Sequence, residues 1–375
     1  MSKLDDLIKK LCPNGVEFHS VEDVANVARG VRVVRSQLAD QGSYPVFQNS
    51  LTPMGYYEKQ NCKADTAFVI AAGAAGEIGY SYSDFWAADD CYFFKCSKAL
   101  SSRYLYHMLL WKQPFLKSRV RKASIPRLSR DHIEQLSIPV PPLPVQEEIV
   151  RILDSFTKLE AELEAELEAR RRQYEYYRDK LLNFNELDKA KSGGGVKLMA
   201  LGEIADIGTG SSNTNEELIQ GLYPFFVRSQ EVRWKNSYEF DETAIITSGD
   251  GVGVGKVFHF VEGKYALHQR AYRIHITDDA VFPKYFFHYM KTNFLVHITK
   301  NAVHSSVTSI RRPMLEKFIV PVPSMEKQKR IVSILDRFDT LVNDLTSGLP
   351  AEIKARRQQY EYYRDKLLTF SPLQG

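Results

Sequence analysis

Two stretches of the chain carry an apolar seam with heptad spacing. The first runs Ile149, Leu153, Phe156, Leu163, Leu167, Tyr174, Tyr177 and Leu181, with Glu160 and Arg170 at its two polar positions. Steps of four and three alternate. A period of about 3.5 residues asks for a partner helix rather than a plain globular face. The second runs Ile331, Leu335, Phe338, Val342, Leu345, Leu349, Ile353, Arg356, Tyr360, Tyr363 and Leu367. Two steps of four fall together at Leu345, Leu349 and Ile353, the mark of a four-residue insertion. That insertion carries Ser347-Gly348-Leu349-Pro350, which predicts a break and a restart at Pro350. The economical partner for each long helix is the other.

The two helices belong to a duplication of the whole chain. Residues 173–182 and 359–368 read the same ten letters, Gln-Tyr-Glu-Tyr-Tyr-Arg-Asp-Lys-Leu-Leu. Each helix is preceded by Pro-Val-Pro, at Pro139–Pro141 and Pro321–Pro323. Further upstream, Val21, Val24, Ala25 and Gly30 align with Leu201, Ile204, Ala205 and Gly210 at an offset of 180. The pattern predicts two bodies of short strands and helices. Strands are expected at Phe68–Ala72 and Ala244–Thr247, each ending in a glycine run, then at Ala88–Phe94 and Leu267–Ile276. Helices follow at Ser102–Leu116 and Pro283–His297, with Tyr104 and His107 matching Tyr285 and His288. Gln48-Asn49 aligns with Arg228-Ser229, and Asp89-Asp90 with His268-Gln269, so the framework repeats while the loops differ. The first long helix also holds a four-residue repeat, Leu159-Glu-Ala-Glu, Leu163-Glu-Ala-Glu and Leu167-Glu-Ala-Arg, a spacer that can change length in units of about 6 Å.

Composition changes this picture little. With 44% hydrophobic and 26% charged residues, the chain reads as soluble and globular, and +4 is too small a net charge to name a partner. Cys12, Cys62, Cys91 and Cys96 have no CxxC spacing and suit reduced thiols in a cytoplasmic protein. The start of the chain reads as a short amphipathic helix, too polar for a signal peptide, and no apolar run is long enough to span a bilayer.

The glycine runs Gly73–Gly79 and Gly249–Gly255 do not fit GxGxxG, and a strand pattern follows the second where a phosphate site needs a helix. Six of nine histidines (His259, His268, His275, His288, His297, His304) sit in the second body, without metal-site spacing. No GxSxG occurs. Basic clusters are the stronger signal. Lys117, Arg119, Arg121, Lys122, Arg127 and Arg130 fall in fourteen residues without an acid, and Lys300, His304, Ser305, Arg311 and Arg312 mark the matching stretch. Arg29, Arg32 and Arg35 form another group; Arg228, Gln230, Arg233 and Lys235 a fourth. Such residues make phosphate and base-edge contacts. The candidate DNA-contacting set is therefore Arg29, Arg32, Arg35, Lys117, Arg119, Arg121, Lys122, Arg127, Arg228, Gln230, Arg233, Lys235, His304, Ser305 and Arg311, with Gln48, Asn49, His268, Gln269 and Arg270.

Together, the body openings, the Pro-Val-Pro entries, the helix starts Gln146-Glu-Glu-Ile-Val-Arg-Ile-Leu-Asp and Gln328-Lys-Arg-Ile-Val-Ser-Ile-Leu-Asp, and the twin Tyr-Glu-Tyr-Tyr ends resemble the specificity subunit of a Type I restriction–modification system. The resemblance covers nearly the whole chain. It implies an α+β architecture: two pseudo-repeated mixed α/β target recognition domains joined by two long antiparallel helices in a coiled coil. The expected divisions are a first recognition domain at 1–137, a central helix at 138–184, a linker at 185–195, a second recognition domain at 196–318 and a C-terminal helix at 319–375. It implies a non-catalytic subunit that binds a split double-stranded DNA target and docks two methyltransferase subunits and restriction subunits. S-adenosylmethionine would sit on the methyltransferases and ATP on the restriction subunits, with no cofactor on this chain. The absence of an Asn/Asp-Pro-Pro-Tyr/Phe loop agrees. Tyr174, Tyr176, Tyr177, Tyr360, Tyr362 and Tyr363 are the expected partner contacts. The competing readings are a coiled-coil scaffold with two protein-binding bodies, and a single-chain methylase or nuclease.

Overall fold

The computed structural model describes residues 2–184, 195–301 and 309–374. The chain divides into two compact units, Met1–Glu164 with Glu352–Gly375, and Ala165–Ala351. The units cut across the linear divisions expected from sequence, because the helices exchange. Of the expected linker, residues 185–194 lie outside the described residues.

In the first unit, α1 (Ser2–Leu11) leads to β1 (Phe18–Ser20), α2 (Val21–Val24), β2 (Ala25–Arg29), β3 (Tyr44–Phe47), β4 (Tyr56–Tyr57), β5 (Thr66–Ile70), β6 (Ile78–Ser81), β7 (Trp86–Ala87) and β8 (Cys91–Cys96). Then come α3 (Ser102–Ser118), α4 (Arg130–Glu134), β9 (Ser137–Pro139) and α5 (Leu143–Leu182). Strands β2, β8, β5 and β6 form an antiparallel sheet in that order, and β4, β3 and β7 a mixed one, in which β3 pairs antiparallel with β4 and parallel with β7. Alternation buries Val27, Val69, Ile78 and Phe94 in one core with Tyr104, Leu105, Met108 and Leu109 of α3. The Ser101 side chain caps α3 by accepting from Tyr104 N.

The second unit repeats this with β10 (Lys197–Ala200), α6 (Leu201–Ile204), β11 (Ala205–Thr209), β12 (Tyr223–Phe226), β13 (Arg233–Lys235), β14 (Phe240–Ser248), β15 (Phe258–Leu267) and β16 (Ala271–Ile276). It continues through α7 (Pro283–Asn301), α8 (Arg312–Glu316), β17 (Ile319–Val322) and α9 (Met325–Asn343). Its sheet has six strands, in the order β11, β16, β14, β15, β12 and β13. The difference has a local cause. Strand β15 is continuous, whereas its counterpart is broken into β6 and β7 by a turn in which Ser81 Oγ donates to Ser83 O and Asp84 accepts from Ala64 N. The first body therefore has two small sheets where the second has one.

Each body is bolted to its long helix by the same three contacts. The buried Gln146 side chain donates to Ala99 O and Pro141 O at 2.8 and 2.7 Å and accepts from Ser101 N at 2.9 Å. Gln328 donates to Ala280 O and Pro323 O and accepts from Phe282 N, at 2.7, 2.8 and 2.8 Å. Tyr104 Oη donates to Pro139 O and Tyr285 Oη to Pro321 O. His107 and His288 meet Asp154 and Asp336. The glutamine and aspartate that begin and end each of the two repeated helix starts are thus anchors.

The heptad seams pack as the spacing predicts. In the first unit, Phe156 of α5 stacks on Tyr363 of α10 (Leu349–Leu368) with ring centroids 5.5 Å apart, and Arg357 pairs with Glu160 and Glu164. In the second, Phe338 of α9 stacks on Tyr177 at 5.7 Å and touches Tyr174 at 6.2 Å, while Leu181 lies by Ile331 and Ile334. Both pairings are antiparallel. Leu345 departs from the predicted seam and is 75% exposed, because α9 ends at Asn343. Asp344 then accepts from Thr346 N and from the hydroxyls of Thr346 and Ser347, and these bonds hold its carboxyl down at about 2. The helix restarts at Leu349, one residue before the proline expected to open it.

Candidate DNA interface

At the carboxyl ends of β3, β5 and β7 in the first body, four main-chain segments are stitched together. Ala88 N donates to Phe47 O, Ala71 N to Asp90 O, Ala74 N to Asn49 O and Leu128 N to Ala71 O, all at 2.7–2.9 Å. The second body repeats the stitching: His268 N to Phe226 O, Gly249 N to Arg270 O and Ile310 N to Gly249 O, each at 2.9 Å. Beneath both clusters the chain crosses itself at a glycine. A Cβ on Gly30 would lie 2.0 Å from Ala88 O, and one on Gly210 1.8 Å from Leu267 O, so no other residue fits.

The matched bonds place Asn49 opposite Arg228 and Asp89-Asp90 opposite Gln269-Arg270. Both loop pairings read from sequence are therefore shifted by one residue. The same correspondence sets Ala72 against Asp250 and Arg127 against Ser309, since Ala72 bridges Arg127 and Asp250 bridges Ser309.

In the first body the cluster gathers Asn49, Arg121, Lys122 and Arg127, all exposed. Arg121 and Arg127 exchange main-chain hydrogen bonds at 2.8 and 3.2 Å, so Lys122 sits in the loop they close. Arg29 Nε donates to Asp89 O at 2.8 Å, and Lys117 pairs with Glu77 at 2.8 Å beside Gly76. Arg119 lies over the Phe115 ring. Arg32 and Arg35 are exposed in the segment after Gly30, and Gln48 is half-buried.

In the second body Arg228 and Arg270 share the Asp250 carboxylate, and Gln269 donates to the Asn213 side chain. Gln230 and Arg311 are exposed. Several expected contacts are differently placed. His268 is buried, 4% exposed, and its Nδ1 accepts from Arg270 N, so it braces the turn rather than meeting a ligand. Burial first, and then Arg228, push its pKa down. Lys235 lies in β13 with its side chain 14% exposed, donating to Ser212 Oγ and Glu216 at 2.6 Å. Arg233 opens the same strand, not a loop, and faces Glu231 at 3.2 Å and Glu217 at 3.6 Å. These two cations are already matched by acids. His304 and Ser305 lie outside the described residues.

The six tyrosines also separate. Tyr174 and Tyr177 pack on Phe338, and Tyr360 and Tyr363 on Phe156, so these four serve the helix seams. Tyr176 and Tyr362 are 59% and 63% exposed. Sequence reasoning missed Asp250, whose only signal is an acid inside a glycine run. Among the described residues no group of three or more His, Cys, Asp or Glu is placed to hold a metal ion, and no helix is long and apolar enough to cross a membrane.

Two duplicated loop clusters on paired helices define a recognition subunit, and comparison with known proteins identifies its class. Residues 13–169 and 194–355 each match the Type I restriction modification DNA specificity domain. The chain belongs to this family: it is a specificity subunit of a type I restriction–modification system, a non-catalytic component that recognises a DNA target. It is 32% identical to a putative type I restriction enzyme specificity subunit of Haemophilus influenzae, over 97% of this chain and 98% of that one. It is 35% identical to the EcoR124I/EcoR124II specificity subunit of Escherichia coli over 63% of this chain and 64% of that one. The fold is similar to the crystal structure of the S subunit from M. genitalium, with a TM-score of 0.70 and 16% identity, covering 94% of this chain and 96% of that one.

Proposed function

We propose that the two bodies read the two halves of a split double-stranded DNA sequence. The observation that carries this is one main-chain frame holding different side chains: Asn49, Ala72, Asp89 and Asp90 in the first body, Arg228, Asp250, Gln269 and Arg270 in the second. Identical frames with unlike side chains suit two related readers of two unlike targets. The twin Tyr-Glu-Tyr-Tyr-Arg-Asp-Lys-Leu-Leu helix ends suit two copies of one partner, and the reading assigns them to two methyltransferase subunits. Restriction subunits join the same complex. S-adenosylmethionine is then bound by the methyltransferases and ATP by the restriction subunits, with this chain supplying the address.

The test exchanges residues 196–318 for the equivalent body of a relative and sequences methylated adenines in host DNA. One half of the methylated sequence is expected to change while the other stays. A change in both halves, or in neither, overturns the proposal.

A further inference from the structure

This inference rests on the reading that the loop cluster of the second body faces DNA. Arg228 leaves the carboxyl end of β12, and its Nη1 donates to Asp250 Oδ1 at 2.6 Å. Arg270, in the turn between β15 and β16, donates through Nη1 to Asp250 Oδ2 at 3.3 Å. One carboxylate thus aligns two guanidiniums from different loops. The carboxylate is fixed in turn. Ser248 Oγ donates to Asp250 O at 2.7 Å, and the backbone of Asp250 bridges Ser309. The Arg228 loop is braced by the buried His259, whose Nε2 lies 3.0 Å from Ser229 O. Burial lifts the Asp250 carboxyl, but Arg228 and Arg270 more than reverse this, so the acid is charged.

The arrangement suits a base edge better than a phosphate. Asp250 offsets one of the two guanidinium charges, so the cluster attracts a phosphate less than two unpaired arginines would. A base edge asks for aimed donors rather than for net charge. Asp250 occupies one nitrogen of a planar fork that carries five donors, and so sets the plane without exhausting it. Bidentate pairing with guanine O6 and N7 needs a fork held in one plane, and ordering it beforehand lowers the entropy cost of binding. The first body has Ala72 where Asp250 stands and Asn49 where Arg228 stands, so it lacks this device.

We propose that Arg228, aligned by Asp250, reads a guanine in the half-site of the second body. Asp250 is a positioning residue and Arg228 determines specificity. The test selects sites from a pool of random duplexes with the full chain assembled with its methyltransferase. Arg228→Ala is expected to relax one G·C position in one half-site, losing roughly 5- to 100-fold of discrimination there, with the other half-site unchanged. Arg228→Lys keeps the charge without the fork and should relax the same position. Asp250→Asn should weaken preference at that position alone, whereas a merely structural role would lower affinity for all sequences alike. The proposal is overturned if Arg228→Ala keeps the parent's motif, or weakens every sequence equally as a phosphate contact would. The body exchange separates the two levels. If it changes one half-site while Arg228→Ala changes no position, this inference fails and the DNA-facing reading stands. If it changes neither half-site, both fail.

Discussion

His107 Nε2 lies 2.8 Å from Asp154 Oδ1, joining α3 of the first body to α5. His288 and Asp336 repeat the pair at 2.9 Å, with Lys284 on Asp336 as Arg103 is on Asp154. Burial pushes both imidazoles below their ordinary value, further than the carboxylates raise them. An unfolded histidine titrates near 6.5, so below about that pH the unfolded chain takes protons that the folded chain refuses. Stability should therefore fall as pH drops from about 7 toward the folded histidine pKa. Asp154 and Asp336 are held below the usual carboxylate range because their partners outweigh their burial. Their contribution is lost only below about pH 4. The melting temperature should drop between pH 7.5 and 5.5, and the His107→Gln, His288→Gln double variant should show a shallower slope. An unchanged slope would refute this account.

Gln146 and Gln328 offer a symmetric test of the anchors. Replacing either by Ala strands one part-buried main-chain N–H, one part-buried carbonyl and the buried carbonyl of Pro141 or Pro323, at about 1–3 kcal/mol for a fully buried group and less for the others. We expect each variant to lose about 2–4 kcal/mol in urea denaturation, with similar values for the two. A loss under about 1 kcal/mol at both would show that water replaces the amide.

Tyr176 and Tyr362 are the tyrosines free of the seams, and they occupy equal places in the two repeats. Changing both to Glu should leave the circular dichroism spectrum and melting temperature near the parent's, while copurified methyltransferase falls. Assembly with two full copies would remove these residues from the docking surface.

Deleting Leu163–Glu166 takes out about 6 Å of helix and turns the remainder of α5 by roughly 40°. Duplex DNA rises about 3.4 Å per base pair and turns by roughly 35°. The rotation matches one base pair and the length nearly two; facing the wrong groove should cost more, so the preferred gap should shorten by one. Methylation of substrates with fixed half-sites and stepped gaps gives the answer, and a variant that assembles yet keeps the parent's gap excludes the helices as spacers.

The helices were legible because heptad spacing is local, and the duplication because it repeats letters. Leu345 failed because a turn residue can fall by chance on a seam. Sheet order was not legible: whether β6 and β7 are one strand or two depends on a turn closed by Ser81 and Asp84. At the site, composition identified the right loops but not the right residues. A lysine beside an aromatic strand looks free in sequence, and only the fold brings Glu216 and Ser212 onto Lys235. The loop alignment slipped by one because small insertions around the glycine crossings carry no pattern of their own.

The stitching of the loop cluster has an evolutionary corollary. Its bonds run from amide to carbonyl, so they are indifferent to which side chains the loops carry. Such a frame is a chassis. Mutations can rewrite what the loops present while the backbone they hang from keeps its path, provided Gly30 and Gly210 stay glycine. One duplicated gene could thus drift toward two unrelated vocabularies without passing through an unfolded intermediate, each repeat exploring new words while the other keeps its old ones.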